Sequence, residues 1–373
     1  MIKFLKALMQ AIEFMLLPAS KKKIVFYSEG KNYWPIFEGI VTELNDYYEG
    51  NVCYITSDCN DPGCKYINNN FITFIIDEGY IRNWLFSNIE ASIVLMTMPD
   101  LNQYQVKRSI NAVHYIYVQH ALMSLHMAYR FGAFDWYDTI FCAGPHHVQE
   151  IRLIENKYNL RQKRVVEIGY ERIDSLINLK SYIKFEQVNN KVSKHILIAP
   201  SWGVNCLIET SKATGLIEIL LNLEYKVTFR PHPETIKSSP DLIEIIKKSY
   251  SQNNLFYFED NISTLDSFIN SDIMITDWSG SALEYALGLG KPILYLDLPK
   301  KIKNDKYKEI DIEPLEISIR NKIGVVSAIE DIDKSLISSL CSITIDPNEY
   351  VFNIGKSKKI AVKYILDTLK DLS

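Results

Sequence analysis

The stretch Ser271–Asp297, SDIMITDWSGSALEYALGLGKPILYLD, leaves few folds open. Asp272–Thr276 is a short apolar run that reads as a buried strand. Asp277–Gly280 is a polar turn, and a helix follows to about Leu287. Gly288 and Gly290 end that helix, and Pro292–Leu296 starts the next strand. A strand–turn–helix–strand unit of this kind belongs to an open α/β sheet. Its turn sits at the carboxyl end of a strand, where such sheets take ligands. Thr276, Ser279, Gly280 and Ser281 offer hydroxyls and backbone N–H groups to an anion at the helix start. Ser279 as a plain helix cap before Ala282–Leu283–Glu284 is the simpler reading. A cap alone does not account for Thr276, Asp277, Trp278 and two serines in one turn.

The rest of the chain repeats the pattern. Strands are expected at Ile24–Ser28, Asn51–Thr56, Phe71–Ile76, Ser92–Met96, His114–Val118, Thr139–Cys142 and Val166–Gly169, with a helix at Ile36–Tyr48. After the polar run Glu186–Lys194 come strands at His195–Ala199, Tyr225–Arg230 and Leu255–Phe258. Helices are expected at Leu207–Leu221, from a Ser263 cap through Phe268–Ile269, at Ile329–Leu340 and at Lys359–Leu369. Strands alternating with helices imply parallel sheets with both faces covered. The 373 residues suffice for two domains, and the polar run places their boundary near Asn189. Residues 23–189 then form an acceptor-side domain and residues 190–373 a donor-binding one. The dinucleotide fingerprint GxGxxG is absent after the first strand. A formal net charge of -4 gives no reason to expect a nucleic-acid partner. Six cysteines are too thinly spread to staple a chain of this length, which suits a reducing cytoplasm.

Five of the seven histidines lie between His114 and His147. His114 is inside a strand run and reads as structural. His120 stands just past the end of that strand, where catalytic groups collect, and an imidazole suits proton removal from an alcohol near neutral pH. His126 follows, and His146–His147 open a helix. No HExxH pattern accompanies them, so no metal site is expected. In the second half, Arg230–Pro231–His232–Pro233 ends a strand. The two prolines restrict the backbone on either side of His232 and hold it at the strand's carboxyl end, beside Arg230, to meet a phosphate. Lys300–Lys308 reads as a solvated basic loop. Two sheets facing a cleft would set His120 opposite His232 and Ser279–Ser281. That arrangement suits transfer from a phosphorylated donor, which relies on position and charge neutralisation. No DxD pair stands out as a metal clamp, so metal-independent donor binding is expected.

Met1–Leu17 is apolar except for a stripe of Lys3, Lys6, Gln10 and Glu13, and Pro18 and Lys21–Lys23 follow it. As a helix it would be about 26 Å long, short of a bilayer core. It carries no AxA-type cleavage site. An amphipathic helix lying in the membrane interface is expected, with packing against the body of the protein as the alternative.

These pieces resemble the CDP-glycerol glycerophosphotransferases of teichoic-acid and capsule synthesis. RPHP (Arg230–Pro233) is similar to that family's histidine–proline motif. Ser271–Asp297 is similar to its SD-hydrophobic-ITDYSS…EYA…KPI block. IAPSW (Ile198–Trp202), IGYERID (Ile168–Asp174) and YVQHALMS (Tyr117–Ser124) match further segments. The resemblance covers roughly Tyr117–Leu296 and implies a GT-B fold of two Rossmann-like domains. It implies His120 as the base, with His232, also expected to be catalytic, and the turn Ser279, Gly280 and Ser281 at the phosphates of a CDP-glycerol donor; Arg230, Thr276, Asp277 and Glu284 complete the expected donor-binding residues. It also implies an acceptor hydroxyl on a glycan or lipid-linked polymer, release of CMP, and a place on the inner face of the cell membrane. The chain departs from the family pattern in three places. Ala121–Leu122 follow His120 instead of Gly–Thr, Trp278 replaces a tyrosine, and Gly280 replaces a serine. These departures keep a nucleotide-sugar glycosyltransferase open as the alternative, with Glu284 on the nucleotide ribose.

Overall fold

Two parallel sheets carry the chain. The computed structural model describes residues 2–77, 79–104, 106–182, 194–261, 264–299, 310–339 and 345–372. It divides into two units: Met1–Asp174 with Asn304–Ile310 and Asn348–Ser373, and Ser175–Lys303 with Asp311–Pro347. All of the expected linker Glu186–Lys194 but its last residue, the Ser263 cap and the Lys300–Lys308 loop lie outside the described residues.

The first unit holds β1 (Ile24–Ser28), β2 (Val52–Thr56), β3 (Phe71–Ile75), β4 (Ile93–Met96), β5 (His114–Val118), β6 (Thr139–Cys142) and β7 (Arg164–Glu167). Their order across the sheet is β3-β2-β1-β4-β5-β6-β7, and every pairing is parallel. Every residue of β1, β2 and β4 is buried, which is why these segments read as unbroken apolar runs rather than alternating ones. The second unit holds β8 (His195–Ile198), β9 (Lys226–Phe229), β10 (Phe256–Phe258), β11 (Ile273–Thr276), β12 (Ile293–Leu296) and β13 (Gly324–Ser327). Its order, β10-β9-β8-β11-β12-β13, repeats the same doubly wound pattern. In each sheet the order reverses beside the unit's first strand, between β1 and β4 and between β8 and β11. The loops leaving those strands diverge there and open a crevice.

Several elements differ from expectation. The expected helix Leu207–Leu221 forms only over Ala213–Asn222. Ser211 takes a left-handed conformation (φ 57°), and the N–H of Leu207 is bonded to Asp277, so the chain turns through the preceding residues. Tyr170–Asp174, read as a loop, runs into the helix Glu171–Tyr182. Helix Leu315–Ile323 and strand β13 were not anticipated.

The last helix, Ser357–Asp371, belongs to the first unit, whereas the sequence boundaries placed it in a domain spanning residues 190–373. The cause is a set of long-range bonds. Asp174 accepts from the N–H groups of Gly355 (2.7 Å) and Ser357 (3.2 Å). Phe352 N donates to Ala143 O (2.8 Å), and the Tyr364 and Thr139 hydroxyls meet at 2.7 Å. Gly169 has φ +96°, and a Cβ there would come within 2.2 Å of Phe352 O. The glycine and aspartate of IGYERID thus seat the returning carboxyl-terminal segment.

At the other end, helix Ile2–Leu16 buries Ala7, Ala11 and Phe14 against β3 and the helix Tyr80–Asn88, with the Phe14 and Phe74 rings edge-on at 5.3 Å. Lys22 is buried, bonding Met15 O (3.0 Å) and Glu90 (3.3 Å). Only two of the three lysines after the helix therefore face outward. Leu5, Met9, Ile12 and Leu16, on the opposite helical face, are 43–79 % exposed. Among the described residues, no helix is long and apolar enough to cross a membrane.

Candidate active site

In the second unit, three loops meet at the carboxyl edge of the adjacent strands β9, β8 and β11. Arg230 N donates to Ile198 O (2.9 Å), and Ala199 N donates to Ile275 O (3.1 Å), so the loops leave in register. Asp277 ties two of them together. It is fully buried, and its carboxylate accepts from Ser201 N (2.7 Å), Trp278 N (2.6 Å) and Leu207 N (3.0 Å). The Thr276 hydroxyl, also buried, donates to Ala199 O (2.7 Å). Both residues were expected at the ligand. Their polar atoms instead hold the PSWG loop onto the turn after β11, so they shape the crevice and do not line it.

Arg230 needs the same correction. It is buried, and its Nη1 bonds Ser267 Oγ (2.8 Å), Thr264 O (3.3 Å) and Glu259 (3.4 Å), while the guanidinium lies over Phe268. A cation already facing a carboxylate inside the unit is a poor phosphate clamp. His232, two residues on, is half-buried at the edge. Its Nδ1 accepts from Glu234 N (3.1 Å), capping the helix Pro233–Ser238. That bond assigns the neutral ring's proton to Nε2, which makes Nε2–H a donor. Trp202, from the PSWG loop, stacks on the ring at 5.9 Å with an interplanar angle of 30°. Glu209 accepts from Gly203 N and Thr235 Oγ1, both at 3.0 Å, and so joins the two loops. Sequence reasoning missed both Trp202 and Glu209. The tryptophan, inside the quoted IAPSW segment, could have been noticed there.

The turn after β11 keeps its expected place. The Ser279 and Ser281 hydroxyls meet at 2.7 Å where the helix Ser281–Glu284 begins. Gly280 has ordinary right-handed helical angles, so no conformational demand explains the glycine there. Glu284 is buried on the same helix, which continues as a π-helical turn over Tyr285–Leu289. Gly288 lies inside that turn, and Gly290 (φ +64°) ends it. Lys291 donates to the carbonyls of Phe268, Ile269 and Ser271 at 2.6–2.9 Å, and Tyr285 reaches Ser271 Oγ at 3.1 Å. The tyrosine and lysine of this block therefore hold the unit together.

In the first unit, His120 follows β5 inside a frame of tyrosines. Tyr117 Oη donates to Tyr129 Oη (3.3 Å), so its 3.2 Å contact with His120 Nδ1 has the imidazole as donor. The lone pair then lies on Nε2, 3.5 Å from Tyr129 Oη. Burial holds the Tyr117 phenol well above its ordinary pKa, so it stays protonated. Tyr170 Oη donates to His120 O (2.9 Å), and the Tyr33 ring stands edge-on at 5.6 Å.

The other histidines fasten the loop after His120. His146 Nε2 bonds Leu122 O (2.8 Å) and His147 Nε2 bonds Met123 O (3.0 Å), while buried Glu150 accepts from Leu125 N and His126 N. Burial lowers the pKa of His146 and His147, favouring their neutral forms. Among the described residues, no three His, Cys, Asp or Glu side chains gather as metal ligands.

Two doubly wound units, one presenting a framed imidazole and the other a histidine and a serine turn at its switch point, define a protein of the GT-B class. Solved structures share this fold. A histidine-to-asparagine variant of the wall teichoic acid polymerase TagF with CDPG is 16 % identical, with a TM-score of 0.60 over 98 % of this chain and 94 % of that one. The UDP-GlcNAc 2-epimerase of Methanocaldococcus jannaschii, in complex with UDP-GlcNAc and UDP, is 12 % identical, with a TM-score of 0.59 over 92 % and 99 %. The chain belongs to the CDP-glycerol:poly(glycerophosphate) glycerophosphotransferase family, which it matches over residues 8–335. The minor teichoic acid biosynthesis protein GgaB of Bacillus subtilis (strain 168) is 25 % identical over 173 residues, 40 % of this chain and 17 % of that protein. The match thus spans about a sixth of that curated relative's length.

Proposed function

We propose that the protein moves glycerol phosphate from CDP-glycerol to a hydroxyl of a cell-surface glycan or lipid-linked acceptor and releases CMP. The family match over residues 8–335 carries this reading. The chemistry assigned to each unit supports it. His120 Nε2 takes the proton of the acceptor hydroxyl as its oxygen bonds to the β-phosphorus. The bond from that phosphorus to the CMP oxygen breaks, and CMP leaves with the electron pair. His232 Nε2–H and the Ser279–Ser281 turn meet the negative charge on the donor's phosphates, and Glu284 accepts from the ribose hydroxyls. Trp278 and Gly280, which depart from the family pattern, favour a second reading, a GT-B glycosyltransferase with a nucleotide-sugar donor.

A donor screen separates the two. Purified protein is given CDP-glycerol, CDP-ribitol and common nucleotide sugars with candidate acceptors, and released nucleotide is counted. CMP release from CDP-glycerol, with the donor KM raised about tenfold or more in His232→Ala, supports the first reading. Release from a nucleotide sugar alone replaces it with the second.

The place of work proposed for the protein is the cytoplasmic face of the membrane. Leu5, Met9, Ile12 and Leu16 form an exposed apolar face on a helix whose other side is anchored; Lys6 is beside that face on the helix, and Lys3 and Lys21 are exposed near its two ends. Replacing Leu5, Met9 and Leu16 by glutamate should abolish sedimentation with anionic vesicles while the melting temperature stays within about 2 °C, because exposed substitutions cost little. Undiminished vesicle binding by the triple variant sinks the idea.

A further inference from the structure

Arg320 occupies a place that neither the sequence motifs nor the transfer chemistry explains. It lies on helix Leu315–Ile323 and is only 7 % exposed. Its guanidinium covers the Trp278 ring, 4.2 Å from the centroid, and Nη2 donates to Leu296 O (3.1 Å). Nη1 is buried and has no hydrogen-bond partner among the described residues. The Tyr295 ring also lies under the guanidinium, 5.4 Å from it, so only the small accessible part of the side chain is left to meet a ligand.

The surroundings narrow the ligand. Arg320 lines a cavity of about 530 Å³ at the carboxyl end of β12, within the size range of small-molecule sites. Trp278, Leu298 and Ile317 supply apolar wall, and Asp297 and Asn321 supply the other polar groups. The exposed Asp297 carboxylate lies 3.8 Å from Nη2. A purely apolar guest would offer the Arg320 cation no counter-charge. A nucleobase finds one face of Trp278 already taken by the guanidinium. A bare anion would meet repulsion from Asp297. A phosphate that carries its own hydroxyls satisfies both charges, with its oxygens on Arg320 and its hydroxyls on Asp297.

We propose that this cavity is a subsite for a phosphorylated polyol, with Arg320 binding the phosphate and Asp297 a hydroxyl. It deepens the transfer reading and rests on it for the two sources of such a group, the glycerol phosphate of the donor and the end of the acceptor chain. It also gives Trp278 a role, since the residue that departs from the family pattern is the one that holds the guanidinium in place.

The test begins with binding of sn-glycerol 3-phosphate and inorganic phosphate to the intact chain by calorimetry. Wild type should bind glycerol phosphate more tightly than phosphate. Arg320→Met should weaken glycerol phosphate roughly ten- to hundredfold, with Arg320→Lys in between. Asp297→Asn, at an exposed position that leaves folding intact, should erase the preference over inorganic phosphate. Steady-state kinetics then identify the source. A higher KM for CDP-glycerol with unchanged inhibition by CMP points to the donor, and a higher KM for the acceptor alone points to the acceptor. Absence of glycerol phosphate binding in wild type overturns the proposal. So does unchanged affinity in a folded Arg320→Met, or an unchanged preference in Asp297→Asn should Arg320→Met fail to fold. Wild type that binds glycerol phosphate but leaves CDP-glycerol intact removes the transfer reading and keeps this subsite.

Discussion

Replacing His120 by asparagine should lower the turnover of CDP-glycerol by about 10²–10⁴-fold, the usual contribution of a positioned general base, while donor KM and melting temperature barely move. The expectation follows from the frame around the ring. Nδ1 is committed to Tyr117, which burial keeps protonated, so the lone pair is on Nε2, where the acceptor hydroxyl takes the place of the Tyr129 hydroxyl 3.5 Å away. The backbone of His120 is held separately by Tyr170, and the loop beyond it by His146 and His147, so the variant should fold. Tyr117→Phe is the companion. It leaves the ring in place without its Nδ1 acceptor, and a loss of about tenfold in kcat is expected. Retention of full turnover by His120→Asn would remove the base assignment and leave the fold reading untouched.

Asp277→Ala should destabilise the second unit by about 3–5 kcal/mol, because three backbone N–H groups lose a buried carboxylate at once. Urea unfolding followed by tryptophan fluorescence measures this, since Trp202 and Trp278 lie in the two loops that Asp277 joins. Donor KM should rise together with the loss of stability. A ligand-contacting aspartate predicts the opposite split, with donor affinity lost and the unfolding midpoint unchanged. That split would show that the carboxylate faces the donor.

The contrast between His120 and Asp277 shows where local pattern suffices. His120 and His232 each stand just past the end of an apolar strand run, and strand ends are visible in a one-dimensional sequence. For the same reason β1, β5 and β6 form over the residues their apolar runs define. Thr276, Asp277 and Arg230 satisfy the same positional rule yet turn inward, because their partners are distant: Asp277 bonds Ser201 and Leu207, and Arg230 bonds Ser267. A polar residue at a strand end looks the same in sequence whether it meets a ligand or a neighbouring loop.

By itself, the sequence determined the alternation of buried strands and helices, hence two doubly wound sheets, and the turns from which side chains leave their carboxyl edges. Apolar periodicity and glycine–proline punctuation are local, and they act through the backbone of a few consecutive residues. Tertiary structure alone decided four things. The last helix returns to the first unit through Asp174. Lys22 is buried beneath the amino-terminal helix. Asp277 binds loops. Arg320 stacks on Trp278 beside a cavity. Each depends on bonds or contacts between groups that the chain brings together only after the sheets have formed, and partners distant in sequence, not local propensity, select them.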